Sequence, residues 1–182
     1  MRKITVCSDA SLTSRIAESR DRLYRVALAW CSDEMLADDL VQETMAAGIS
    51  NSHQLRDEER LFAWLYSIMN NKWYRHLQRN KQYDELDEQL PSEDPGPSSN
   101  CQELEMVSRV RRAVATLPMQ QRQVISLVDL EGFSYCDVAR ILDIPIGTVM
   151  SRLHSARQNL LSRLKRVFPR STATKGHMRL VE

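Results

Sequence analysis

The chain is poor in the residues that make tight turns and in those that make metal sites. Of its 182 residues five are Gly and six are Pro. That is too few for a turn-rich β protein or for a phosphate-cradling glycine loop. No run of about 18 apolar residues occurs, so no transmembrane helix is expected. The opening Met1-Arg2-Lys3-Ile4-Thr5-Val6-Cys7 turns polar too soon to supply a signal-peptide core. The four cysteines (Cys7, Cys31, Cys101, Cys136) form no Cys-x-x-Cys pair and read as free thiols. His53, His76, His154 and His177 offer no clustered ligand spacing, so neither a metal nor another cofactor is expected. What is present, 42% apolar and 27% charged residues, points to a cytoplasmic, mainly helical globular chain.

The formal net charge of +1 hides a strong asymmetry. Residues 1–82 carry 12 basic and 11 acidic side chains, residues 83–108 carry 8 acidic and no basic ones, and residues 109–182 carry 13 basic and 5 acidic. An acidic middle and a basic C-terminal third are the layout of a nucleic-acid binder. The middle also holds Pro91, Pro95 and Pro97, which prevent a helix, and its clustered acids bury too little apolar surface to fold. The expected organisation is a helical unit at 10–81, a flexible acidic linker at 82–102, a second helical unit at 103–168 and a tail at 169–182.

In the first unit Leu23, Val26, Ala27 and Trp30 share one helical face. Leu36, Leu40, Val41 and Met45 mark a second helix, with Asp33 as N-cap and Gly48 as stop. A longer helix begins near Asp57-Glu58-Glu59, acids suited to the positive end of its dipole. It runs through Leu61, Trp64, Leu65, Ile68 and Met69 and turns basic at Lys72, Arg75, Arg79 and Lys81. The polar stretch Ile49 to Arg56 reads as a loop. In the second unit Leu104, Val107, Val110, Val114 and Leu117 form a stripe. Pro118 then opens another helix through Val124, Ile125 and Leu127, ending at Gly132. No useful β alternation appears; the fold class is all-α, two small helical domains on a tether.

The strongest motif lies between Ser134 and Leu164. A helix capped by Ser134, a break at Asp143-Ile144-Pro145 and a helix rich in basic and hydroxyl side chains make the pattern of a helix-turn-helix. Val149, Leu153 and Ala156 face the core in this reading. Met150, Ser151, His154 and Ser155 then point to a major groove, while Thr148, Arg152 and Arg157 suit phosphates. The plain alternative is a helical hairpin with a solvated basic face.

Three segments of this unit, Leu117-Pro118-Met119-Gln120-Gln121-Arg122-Gln123-Val124, Asp129-Leu130-Glu131-Gly132-Phe133-Ser134-Tyr135 and Ile144 to His154, closely resemble region 4 of bacterial sigma factors of the extracytoplasmic-function (ECF) group. Independently, Asp38-Asp39-Leu40-Val41-Gln42-Glu43-Thr44 resembles region 2.2, and Phe62 to Asn71 resembles regions 2.3 and 2.4. The resemblance covers about residues 10–168 in the right order. It implies a protein that is no enzyme. Such a protein binds core RNA polymerase through the β′ and β subunits, directs it to promoter DNA and helps melt the minus-10 element. It also implies a silencing anti-sigma factor, often membrane-anchored, that holds the chain at the inner membrane face.

By this resemblance Asp38, Asp39, Leu40, Gln42 and Glu43 form the polymerase-docking set, with Leu40 or Val41 turned inward. Charge complementarity there would orient docking, against the alternative of a solvated acidic face. Asn71 aligns with a minus-10 asparagine, the Ile49–Arg56 loop with the segment that captures a flipped base, and Lys72, Arg75 and Arg79 grip the backbone. The aromatics Phe62, Trp64, Tyr66, Trp73 and Tyr74 suit base stacking or core packing, with Trp73 counted in the minus-10 set. Thr148, Met150, Ser151, Arg152, His154, Ser155 and Arg157 form the minus-35 set. Many relatives carry a cation where Met150 stands, so the minus-35 readout departs from the family pattern, and shape readout gains weight. The acidic linker either mimics nucleic acid or serves as a spacer. Two other classes remain: a helix-turn-helix regulator acting without polymerase, and an enzyme using Asp38, Asp39 and Glu43 on a metal, for which no His or second cluster completes a site.

Overall fold

The structure, a computed structural model, describes residues 9–83 and 110–167. The acidic linker after Tyr83, Leu104, Val107, Cys7, Cys101 and the tail lie outside the described residues. The elements are α1 (Asp9–Glu18), α2 (Arg20–Cys31), α3 (Glu34–Ser50), two single 3-10 turns (Ser52–Gln54 and Glu58–Arg60) and α4 (Leu61–Tyr83). After the linker come α5 at 110–115, α6 (Met119–Ile125), a π turn (Ser126–Leu130), α7 (Tyr135–Leu142) and α8 (Ile146–Val167). No strand occurs among the described residues.

The caps expected from sequence are made. Asp33 Oδ1 accepts from the Leu36 N–H at 2.9 Å and opens α3, and Ser134 Oγ accepts from the Asp137 N–H at 3.2 Å and opens α7. Leu23, Val26, Ala27 and Trp30 of α2 are fully buried, as their spacing requires. Two expectations need correction. Gly48 does not end its helix; α3 runs on to Ser50. Gly48 instead lets α3 lie close on α4, because a Cβ there would stand 2.8 Å from Leu65 Cδ2. Gly48→Val should therefore cost about 1–3 kcal/mol by overpacking, read as a shift in the urea midpoint at unchanged slope. Pro118 precedes α6 as an extended residue, φ −52° and ψ 141°, rather than lying inside its first turn. Of the expected 104–117 stripe, Leu117 is buried but Val110 is exposed, and Ala113 takes the core position. Helix α1 was not legible, since only Leu12 and Ile16 stand at helical spacing in a polar stretch. Ile16 is nevertheless fully buried.

The two helical units are not separate bodies in this structure. Helices α2 and α4 pack against α6, the π turn and α7, and one continuous core joins Trp30, Tyr66 and Met69 with Val124, Leu127 and Val138. Polar side chains set the register of that joint. The Trp30 indole N–H donates to Ser126 Oγ at 2.8 Å, and Ser126 Oγ donates to the Gln123 carbonyl at 3.0 Å. Gln123 Nε2 donates in turn to Asn70 Oδ1 at 3.0 Å. Asn70, Gln123 and Ser126 are all buried, so each would be costly if unpaired. Arg22 pairs with Glu131, whose side chain is 2% exposed, and its guanidinium also lies over the Phe62 ring at 3.9 Å. Tyr66 meets Phe133 edge-on, with centroids 5.5 Å apart. At the rim Arg122 donates to Ser32 Oγ.

Candidate nucleic-acid interface

On α4 the residues spaced by four from Leu61, namely Leu65, Met69 and Trp73, are all buried. The neighbouring face carries Trp64, Ile68, Asn71, Lys72 and Arg75. Together with Asn51 and Gln54 from the turn after α3, that face lines a cleft of about 430 Å³. Its lining is mostly polar: three amide side chains, two cations and one indole. Such a set offers hydrogen bonds to a base edge, charge for phosphate and a ring for stacking. Asn71 and Arg75 are exposed at its mouth and Arg79 lies beyond it, also exposed. Lys72 is engaged at 3.1 Å by Glu43. Trp73 is placed otherwise than expected. It is 4% exposed and stacks on His76, with ring centroids 5.6 Å apart, so its face is not available to a base in this arrangement. The four-residue spacing from Leu65 and Met69 carried that signal. Tyr66 is likewise core, and burial pushes its phenol well above the usual tyrosine range. Asn51, Gln54, Trp64 and Ile68 were not singled out from sequence as one lining.

On α3, Asp39, Gln42 and Glu43 are exposed, whereas Leu40 is 5% exposed and Val41 is fully buried. Asp38 Oδ1 accepts from Arg20 at 2.5 Å, and its other oxygen accepts from Gln42 Nε2 at 2.9 Å. Such surface pairs contribute little to stability, so this acidic face is open to a basic partner.

In the second unit, the Asp143 C-cap in the left-handed region (φ 52°) ends α7 and turns the chain into α8. Val149, Leu153 and Ala156 seat α8 inward, all 0–2% exposed. This leaves Met150, Ser151, His154 and Ser155 facing outward. Ser151 Oγ bonds back to the Thr148 carbonyl at 3.1 Å, and His154 Nε2 sits 3.1 Å from Gln158 Nε2. Thr148 and Arg152 are half-buried on the flank. Arg157 is chelated by Asp129 at 2.5 and 3.1 Å, which raises the affinity of its guanidinium for the proton and occupies its fork. Cys31, beside Arg122, is held neutral by burial, its thiol pushed up to about 12. Among the described residues no group of three or more His, Cys, Asp or Glu stands ready for a metal. No helix there is long and apolar enough to cross a membrane.

A helix-turn-helix with an outward-facing second helix, joined in one chain to a bundle with a polar, basic-edged cleft, is the architecture of an all-α nucleic-acid-binding protein. Residues 16–83 match Sigma-70 region 2 and residues 108–160 match Sigma-70, region 4. The chain is 33% identical over 144 residues to the ECF RNA polymerase sigma factor EcfG of Rhodopseudomonas palustris, covering 76% of either chain. It is 29% identical over 150 residues to the ECF RNA polymerase sigma factor SigE of Mycolicibacterium smegmatis, covering 80% of this chain and 58% of that relative. Among solved structures, the sigma factor RpoE of Bartonella quintana, in complex with the anti-sigma factor NepR, superposes with a TM-score of 0.71 at 26% identity. That match covers 85% of this chain and 97% of the other. The chain belongs to the ECF family of RNA polymerase sigma factors.

Proposed function

We propose that this chain binds core RNA polymerase, carries it to a set of promoters and helps open their minus-10 element. The observation that carries this reading is the pairing of two surfaces in one chain: the cleft on α4 and the outward face of α8. The α4 cleft suits an extruded base of a single strand, held by Asn51, Gln54 and Asn71 beside Trp64, with Arg75 on the backbone. The α3 acids suit a basic polymerase surface. Purified chain added to core polymerase should produce promoter-dependent transcripts; tight duplex binding with an inert polymerase would favour the polymerase-independent regulator instead.

Promoter geometry then demands a change of shape. Elements named minus-35 and minus-10 lie about 25 base pairs apart, some 85 Å of duplex. Units that share one core cannot reach both. The joint between α2/α4 and α6/α7 must therefore part when polymerase and promoter are engaged. The 26 residues numbered 84–109 reach about 90 Å at full extension, enough for the separation. The packed state is thus a silent one. An anti-sigma factor, by analogy with the partner of the Bartonella quintana protein, would add a second hold.

Within α8 the roles divide. Arg152, without a partner among the described side chains, suits a phosphate, so Arg152→Ala should weaken every promoter alike. His154→Ala should instead shift base preference by about 1–3 kcal/mol at one step. A panel of minus-35 variants transcribed by each mutant separates the two patterns, and equal losses throughout for both would refute the division.

A further inference from the structure

We infer that Met150 and Ile146 form a thymine-methyl reader at the tip of α8. The inference rests on the sigma reading for its biological setting and on the surface of α8 for its chemistry. In a helix-turn-helix the N-terminal residues of the second helix enter the groove deepest and meet base edges. Here that tip is apolar. Ile146 is 41% exposed and Met150 is 50% exposed, one turn apart on a ridge that flanks the buried Val149 and Leu153. The polar groups with base-reading chemistry there are engaged or lie further along: Ser151 bonds back to its own helix, His154 meets Gln158, and Arg157 is held by Asp129.

The groove offers such a tip only one apolar partner. In the major groove guanine, adenine and cytosine present nitrogen and oxygen edges, and thymine alone adds a C5 methyl. Covering a polar edge with the Met150 thioether and the Ile146 side chain leaves that edge without a hydrogen bond, an unfavourable outcome. Covering the thymine methyl removes apolar surface on both sides, and the adaptable Met side chain can follow it. A flexible Met at this exposed position therefore selects thymine at the step it covers.

The test starts from a random minus-35 library upstream of a fixed minus-10 element, enriched on holoenzyme assembled from this chain and core polymerase, and in parallel on the chain alone. Each thymine of the enriched element is then replaced by deoxyuridine, which deletes only the methyl. At one or two thymines this should weaken binding by about fourfold, the worth of one buried methyl. The same replacement should have no effect in Met150→Ala, while Met150→Leu keeps the penalty. Thymine-free enriched elements, or a deoxyuridine penalty that persists in both Met150→Ala and Ile146→Ala, would overturn the inference. Enrichment by the chain alone, with none in the presence of polymerase, would sink the sigma reading and leave the methyl comparison to decide this one. Because Met150 is half exposed at the surface, loss of folding is not expected, and matching thermal unfolding of the variants checks it.

Discussion

A covalent clamp across the joint should abolish promoter-dependent transcription while leaving the fold intact. Ser32 and Arg122 meet at the rim of the α2–α6 contact. In a chain whose native cysteines have been replaced, Ser32→Cys and Arg122→Cys can be bridged by a short, cleavable thiol-reactive reagent. Once bridged, the units cannot move apart to the spacing of two promoter elements. Activity should fall about 100-fold, limited by the fraction left unbridged, and return when the bridge is cleaved. A clamped chain that still transcribes at the uncleaved control level would show that the packed state is not silent. The opposite perturbation should act in reverse. Glu131→Arg places a like charge against Arg22 in a site where the carboxylate was almost wholly buried. Breaking a buried pair in this way costs about 3–5 kcal/mol, all of it borne by the closed form. The radius of gyration should increase, and apparent affinity for core polymerase should rise, because the competent fraction is larger.

Trp30→Ala should be strongly destabilising. Its indole is fully buried, spans the boundary between the units and donates to Ser126. Truncation to Ala removes the ring from the core and leaves a cavity, for about 3–5 kcal/mol, a large share of the stability of a domain this size. Trp30→Phe keeps most of the packing and loses the hydrogen bond, for about 1 kcal/mol. Urea unfolding followed by circular dichroism measures both. If Trp30→Ala unfolded at the parent midpoint, the shared core would not be a cooperative unit.

Much of the fold was legible because apolar spacing and caps are local signals. Asp33 and Ser134 announce their helices, and Val149, Leu153 and Ala156 fix which side of α8 faces out. The outward faces of α3 and α8 follow from that. What sequence spacing does not carry is pairing at a distance. Arg22 and Glu131 are separated by 109 positions, and nothing near either residue names the other. Gln123 and Ser126 are buried, where polar side chains demand partners, and their sequence neighbourhood does not say which residues those are. Trp73 shows the converse error. Its basic neighbours suggested a nucleic-acid contact, while its spacing from Leu65 and Met69 placed it in the core, and burial followed the spacing. Lys72 and Arg157 read as cations for the nucleic-acid backbone, yet each is matched by a carboxylate, Glu43 and Asp129, from another element.

The π turn after α6 has a bearing on how the second unit works. Its wide ring is closed by the Glu131 N–H donating to the Ser126 carbonyl at 3.1 Å. Because the turn holds one residue more than an α turn, neighbouring side chains fan out in different directions. Ser126 meets Trp30, Asp129 grips α8 through Arg157, and Glu131 grips α2 through Arg22. Six residues thus act as a fulcrum with one arm on the promoter-reading helix and another on the partner unit. Deleting one of them would rotate the carboxylates by about 100° relative to the helix before them, loosening both arms at once. A change at the Glu131–Arg22 contact is therefore made only two residues from the Asp129–Arg157 contact on α8.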